Sequence, residues 1–229
     1  MHTVTGGLKI KIFFFRFIRL ISGLFLYSLG IVFTLRANIG YSPWDVFHVG
    51  LTKATGITIG MASILTGAAL VLIVVMLGER VGMGTVINML LIGVFLDMIL
   101  KLGVIPLAEG LVTGVFMLVL GLFISAFATY FYISSSFGAG PRDSLMVAVT
   151  RKTNFPVGAC RGAVELAAVT VGWFMGGMVG IGTIISAFGI GFCVQVVFWL
   201  LKFNVEEVKH ETIPQTFRAL SAAVKKPGI

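Results

Sequence analysis

This chain of 229 residues carries only nine Asp and Glu and 17 Lys and Arg, so charges set among apolar neighbours are its first candidates for chemistry. Two short motifs lead: Ser42-Pro43-Trp44-Asp45 and Gly140-Pro141-Arg142-Asp143. Each reads as a helix start, with proline at the first helical position and an acid two residues on; Ser42 is the expected N-cap. Asp45 and Asp143 then satisfy orphan amides and favour the helix dipole. The functional alternative is that the two helix ends aim at one site. Such ends offer N–H donors and positive potential to a carboxylate, a phosphate or another anion. Trp44 and Arg142 hold matching positions, so that site would have an aromatic wall on one side and a guanidinium on the other. Arg142 also reads as an interfacial, cytoplasm-facing residue.

Asp97 and Glu165 stand inside apolar stretches, where charge is costly and usually faces a cavity or a partner. Glu165 follows Arg161 by four residues, which suits an ion pair on one helix face. A carboxylate for proton coupling is the second reading of Glu165 or Asp97. Asp97 lies near the end of its stretch, so an interfacial position is open too. Nine residues separate Asn88 from Asp97, which puts them on different helix faces. His48 has no second His or Cys nearby, and no metal site is expected. Cys160 and Cys193 lie in apolar segments without a CxxC pairing and read as reduced, packed thiols. No Ser/His, Cys/His or metal constellation is present, so neither an enzyme nor a cofactor is expected. Val81-Gly82-Met83-Gly84-Thr85 lacks the lysine and strand of a phosphate loop; a tight turn with Thr85 capping the next helix is expected.

The elements that position these residues follow from composition. Apolar residues make up 58% of the chain, charged ones 11%, and mean hydropathy is +1.05. A soluble globule is about half apolar and about a quarter charged. So few charges cannot cover a wetted surface, which excludes a soluble enzyme, a disordered chain and a nucleic-acid-binding domain. What remains is an all-α polytopic membrane protein. A bilayer core about 30 Å thick needs roughly 20 apolar residues in helix. Six stretches qualify, near 17–36, 58–77, 84–102, 111–133, 158–176 and 182–201. The first is long and lacks a small-residue cleavage site after it, so no cleavable signal peptide is expected. Segments 37–57 and 134–157 are of mixed polarity, too polar for an easy span and too apolar for a water loop.

The chain also aligns with itself at a shift of 98 residues (138 − 40). Gly40-Tyr41-Ser42-Pro43-Trp44-Asp45 falls on Gly138-Ala139-Gly140-Pro141-Arg142-Asp143, and Thr52 and Thr55 fall on Thr150 and Thr153. Val81-Gly82-Met83-Gly84-Thr85 falls on Val179-Gly180-Ile181-Gly182-Thr183, and Asp97 falls on Gln195. Apolar bias aligns Leu with Leu; it does not place Gly, Pro, Asp and Thr in register. The expected organisation is a basic segment 1–16, membrane repeats 17–103 and 104–202, and a tail 203–229. Each repeat holds three spanning helices plus a short broken helix. Three spans is an odd number, so the second repeat is expected to be inverted, as in many secondary transporters. The competing arrangement makes 43–54 and 141–152 full spans, giving eight crossings and parallel repeats.

Orientation rests on the basic residues. With six spans and the N-terminus inside, 14 of the 17 Lys and Arg face the cytoplasm, leaving Arg36, Lys53 and Lys101 outside. Both termini are then cytoplasmic. The formal net charge of +8 suits an anionic cytoplasmic leaflet. The N-terminal Lys and Phe residues, and a tail with Ile213, Phe217, Leu220 and Val224 at helical spacing, read as amphipathic ends.

The run Arg36-Ala37-Asn38-Ile39-Gly40-Tyr41-Ser42-Pro43-Trp44-Asp45-Val46 resembles the bacterial YczE/YitT-type integral membrane proteins. So do its second copy, Gly138 to Leu145, and the Val-Gly-x-Gly-Thr turn of each half. The resemblance covers roughly residues 15–202. It implies a multi-pass protein of a bacterial cytoplasmic membrane and supplies no functional residue.

The leading functional expectation is a secondary transporter or permease for a small polar or anionic solute, meeting Trp44, Asp45, Arg142, Asp143 and either Asp97 or Glu165. This rests on architecture, an analogy at the level of fold. The alternative is a non-transporting accessory or scaffold protein that binds a membrane partner or a second copy of itself through glycine-rich faces.

Overall fold

A computed structural model of the chain describes residues 6–79, 81–208 and 211–216, with side chains from Lys11 onward and Glu206 excepted. The amphipathic tail expected through Phe217, Leu220 and Val224 lies outside those residues, as do Arg80, His210 and several of the terminal lysines.

Among the described residues these α-helices follow one another: α1 (Gly6–Arg36), α2 (Pro43–Thr55), α3 (Ile59–Met76), α4 (Met83–Leu102), α5 (Leu111–Ser134), α6 (Pro141–Thr153), α7 (Val157–Phe174) and α8 (Ile181–Leu200). A 3-10 turn, Val205–Glu207, comes after them. All but α2 and α6 are long and apolar enough to cross a membrane. These six are the stretches expected from hydropathy. The 13 residues of α2 and of α6 rise about 20 Å each, short of the bilayer core.

Helix bounds follow local chemistry. Pro43 and Pro141 open the short helices, where a missing N–H costs nothing. Gly56 and Asn154 close them in the left-handed region, donating their N–H to Thr52 and Thr150 at 2.8 and 2.9 Å. Asn serves where the first half uses Gly because its short polar side chain tolerates positive φ. The expected capping differs in two places. Ser42 is the N-cap of α2 by position, but its hydroxyl bonds the Asp45 carboxylate rather than an amide. Gly82 caps α4, and the Thr85 hydroxyl donates instead to the Ala139 carbonyl at 2.6 Å.

Outward faces carry large apolar side chains such as Phe14, Met76, Phe116, Phe188 and Trp199, which in this composition face lipid. Leu24, Leu96, Leu118, Phe137 and Val197 are buried between helices. At the centre, α1 and α5 run antiparallel at close range. Gly23 lies against Ala128 while Gly30 lies against Gly121. A Cβ on Gly30 would collide with Ser125 and with the Gly121 carbonyl, so glycine sets this approach.

The links before the two short helices are tied crosswise. Gly182 donates its N–H to Ile39 at 2.8 Å, and Gly84 donates to Phe137 at 2.8 Å. Gly40 packs on Gly180 as Gly138 packs on Gly82. Each short helix then leans on a spanning helix of the other half. Along α7, α2 runs from Asp45, which shares a small cavity with Glu165, to Lys53, whose Nζ donates to the Gly176 carbonyl at 2.8 Å. On the other side α6 packs on α3, and Arg151 pairs with Glu79 beyond the end of α3 at 2.8 Å.

Candidate functional site

The crosswise packing brings the N-termini of α2 and α6 to the middle of the fold, where two adjoining cavities open. The larger, about 390 Å³, is lined by the first turn of α6, by His48 and Asn88, by Tyr27 and Tyr132, and by Arg161. Its apolar wall is Met89, Ile92, Ile133, Ile190, Val194 and Phe198. It reaches from the centre toward the end of the bundle where α5 and α8 finish and α7 begins. The smaller, about 80 Å³, is lined by Trp44, Asp45, Arg142, Arg161 and Glu165.

Five of the six residues singled out from sequence meet here. Arg142 stacks over Trp44, its guanidinium carbon 5.1 Å from the ring centroid. Among the described residues it forms no ion pair, so its donors face both cavities. Asp143 lines the larger cavity and accepts from the Tyr132 hydroxyl at 2.8 Å. Asp45 is 2% exposed and accepts from Ser42 through one oxygen; its Oδ1 has no hydrogen-bond partner. Glu165 pairs with Arg161 at 2.8 Å, the expected contact across one helical turn. The α6 N-cap is Gly140, which has no side chain to cap with, so no N-cap side chain satisfies the first amides of α6.

Asp97 is not part of this site. Its carboxylate accepts from the Gly60 N–H at 2.8 Å and from the Thr58 hydroxyl, joining α4 to the start of α3. Asn88, on another face of α4, does reach the larger cavity, as the nine-residue spacing predicts. Cys160 and Cys193 are buried free thiols.

His48 reads from the sequence as a histidine that could titrate near neutral pH, but it is not among the expected site residues. It is 1% exposed, lines the larger cavity, and has no hydrogen-bond partner at either ring nitrogen. Its Nδ1 stands 3.5 Å from the orphan Oδ1 of Asp45. The signal was present in the i, i+3 spacing from Asp45, but metal ligation is the wrong chemistry to ask of it.

An all-helical membrane protein with six candidate spans, and with a cavity that has one polar and one apolar wall, is the class that these features define. The chain belongs to the family of unknown function DUF6198, which matches residues 14–198. It is 32% identical over 207 residues to the "Uncharacterized membrane protein YczE" of Bacillus subtilis, covering 90% of this chain and 88% of that one. It is 33% identical over 159 residues to an "Uncharacterized protein" of Haemophilus influenzae, with 69% and 72% covered. A third relative, "Uncharacterized protein YyaS" of Bacillus subtilis, is 25% identical over 167 residues, with 72% and 83% covered. No solved structure matches the chain. The likeness to YczE-type membrane proteins read from the doubled Gly-x-x-Pro-x-Asp motif therefore holds.

Proposed function

We propose that this protein is a small secondary transporter of the cytoplasmic membrane, built as an inverted duplication with both termini inside, for a small polar or anionic solute. One observation carries the reading: two seams that correspond under the 98-residue shift (158 − 60) differ in closure. In the first, Gly60 and Gly93 bring α3 and α4 so close that a Cβ on either would meet the other's carbonyl, and Asp97 bonds across. In the second, a Cβ on Gly158 or Gly191 would meet nothing within 4 Å, and the larger cavity reaches between α7 and α8. A pair of equivalent seams, one shut and one open, is what alternating access requires of a single state.

Other features support the duplication. The bounds of α2, α3 and α4 recur in α6, α7 and α8 at the same shift. The antiparallel course of α1 and α5, and the exchanged bonds of Gly182 and Gly84, suit two halves related by a two-fold axis in the membrane plane. With the positive-inside orientation, the open seam faces the cytoplasm. Trp44, Asp45, Arg142, Asp143 and Glu165 surround the solute, Asp97 closes the outer seam, and no group is assigned a catalytic role.

The test uses Lys53 and Arg151, both exposed and equivalent under the shift (151 − 53 = 98). Lys53→Cys and Arg151→Cys, each made in a chain lacking Cys160 and Cys193, are treated with an impermeant thiol reagent. Labelling from opposite faces of the membrane is expected. Labelling from one face would overturn the inversion and the transport reading with it.

A second reading, the scaffold, is favoured by one observation. Gly158 and Gly162, four residues apart on α7, both face open space, as a helix-docking face would. A stoichiometric partner or a stable dimer in native mass measurement, without solute uptake, selects it.

A further inference from the structure

We infer that His48 is a proton-linked binding residue, and that the solute of the larger cavity is an organic carboxylate with an apolar body, taken up with one proton. This rests on the transport reading. Three observations lead to it. The first is the pair of orphans. Asp45 Oδ1 and both ring nitrogens of His48 are enclosed and without hydrogen-bond partners. A buried polar atom left unpaired costs about 1–3 kcal/mol; here Nδ1 and Oδ1 face each other at 3.5 Å without a hydrogen bond and Nε2 has no partner, which marks an incomplete site.

The second is charge. The charged groups facing His48 are Asp45 from its own helix, Arg142 and Asp143 from α6, and the paired Arg161 and Glu165 from α7. The phenols of Tyr27 and Tyr132 face it from α1 and α5, and neither α3 nor α8 brings a charged side chain. With Arg161 and Glu165 offsetting each other, one guanidinium stands against two carboxylates. An entering carboxylate adds a third negative charge in a membrane interior, where uncompensated charge is costly. A proton on His48 offsets it.

The third is geometry. Neutral imidazole has one N–H and two sites that lack partners. The imidazolium has two N–H donors. Its Nδ1–H meets Asp45 Oδ1, now 3.5 Å away, after a small closing movement. Its Nε2–H is left for the solute carboxylate, beside the Arg142 guanidinium and the uncapped first turn of α6. The proton comes from the bulk solution, from hydronium or buffer acid, and rests on the imidazole. The apolar wall of Ile92, Ile133, Ile190 and Val194 takes the body of the solute. Under the 98-residue shift His48 corresponds to Met146 (48 + 98), so only one half carries this device.

The test is isothermal titration of the purified full-length protein at pH 7, in two buffers of different ionisation enthalpy. The probes are hexanoate, L-leucine and inorganic phosphate. Binding of hexanoate or leucine with uptake of about one proton is expected, and comparison of the two tells whether an ammonium is also read. His48→Gln should weaken binding roughly tenfold or more, the loss of one charged hydrogen bond, and abolish proton uptake in what remains. Asp45→Asn should do the same, with gel filtration as the check that both variants are folded. Carboxylate binding without proton uptake, or uptake that persists in His48→Gln, overturns the coupling role. Binding of phosphate alone overturns the carboxylate class and leaves the transport reading standing. Binding of none of the three overturns the inference. Only if reconstituted vesicles also take up none of them does the transport reading fall too.

Discussion

Arg142 and Trp44 stack on one another at 5.1 Å, and they occupy the same position in the two halves of the chain, 98 residues apart (142 − 44). Where a two-fold axis relates two halves, a residue meets its own counterpart only close to that axis. Under the proposed duplication this stack therefore marks the centre of the molecule. It is also where the symmetry fails chemically, since one member is a cation and the other a π surface.

Because the guanidinium has no carboxylate partner among the described residues, its loss should weaken anion binding more than folding. Arg142→Ala is expected to lower the affinity for an anionic solute by roughly tenfold to a hundredfold, the range of one charged hydrogen bond. Protein yield and thermal midpoint should stay near those of the parent. Arg142→Lys should recover part of the affinity, since a point charge replaces a planar fork. Unchanged binding in Arg142→Ala would remove this residue from the site.

Asp97 holds the α3–α4 seam through two hydrogen bonds. Asp97→Ala leaves the Gly60 N–H and the Thr58 hydroxyl without that partner, a cost of about 1–3 kcal/mol. A cysteine placed at Ser63, which lines the larger cavity from α3, should then be labelled faster by an impermeant reagent applied on the side of Lys53. No change in labelling would show that Asp97 does not keep the seam shut.

The two seams should respond differently to one added methyl. On Gly93 it would stand 2.4 Å from the Gly60 carbonyl oxygen, and on Gly191 it meets nothing within 4 Å. Gly93→Ala is expected to destabilise by about 1–3 kcal/mol through overpacking. Gly191→Ala should be neutral or stabilising by up to about 1 kcal/mol, from helix propensity alone. Thermal unfolding in detergent separates them; equal losses would contradict the open second seam.

Arg16, about three turns into α1, ties that helix to the segment beyond α8. It donates to the Ser135 carbonyl at 2.9 Å and to Glu211 at 2.7 Å, and lies 4.7 Å from the centre of the Phe137 ring. Arg16→Ala should speed limited proteolysis of the chain after α8 without altering solute binding. An unchanged cleavage rate would mean that this contact does not hold the segment.

The membrane class and the six spans were legible in the sequence because both depend on local quantities. An apolar run either matches the bilayer thickness or does not, and Pro43, Pro141, Gly56 and Asn154 fix helix ends through backbone chemistry within a few residues. The Arg161–Glu165 pair was legible for the same reason, since one helical turn joins its members. The matching bounds of the short helices followed from the motif that opens each of them.

Distances across the fold decided the rest. Asp97 and Glu165 look alike in sequence, each a lone acid in an apolar stretch. Packing sends one to an amide on α3 and the other to the central cavity. His48 reads as a lone histidine until α2 is laid against α7 and its ring is enclosed beside Oδ1 of Asp45, with no hydrogen bond at that oxygen or at either ring nitrogen. Closure of one seam and opening of its counterpart leave no mark in the chain either. Helix formation answers to neighbours three or four residues away, whereas a cavity is made by helices that meet only when the whole bundle has assembled.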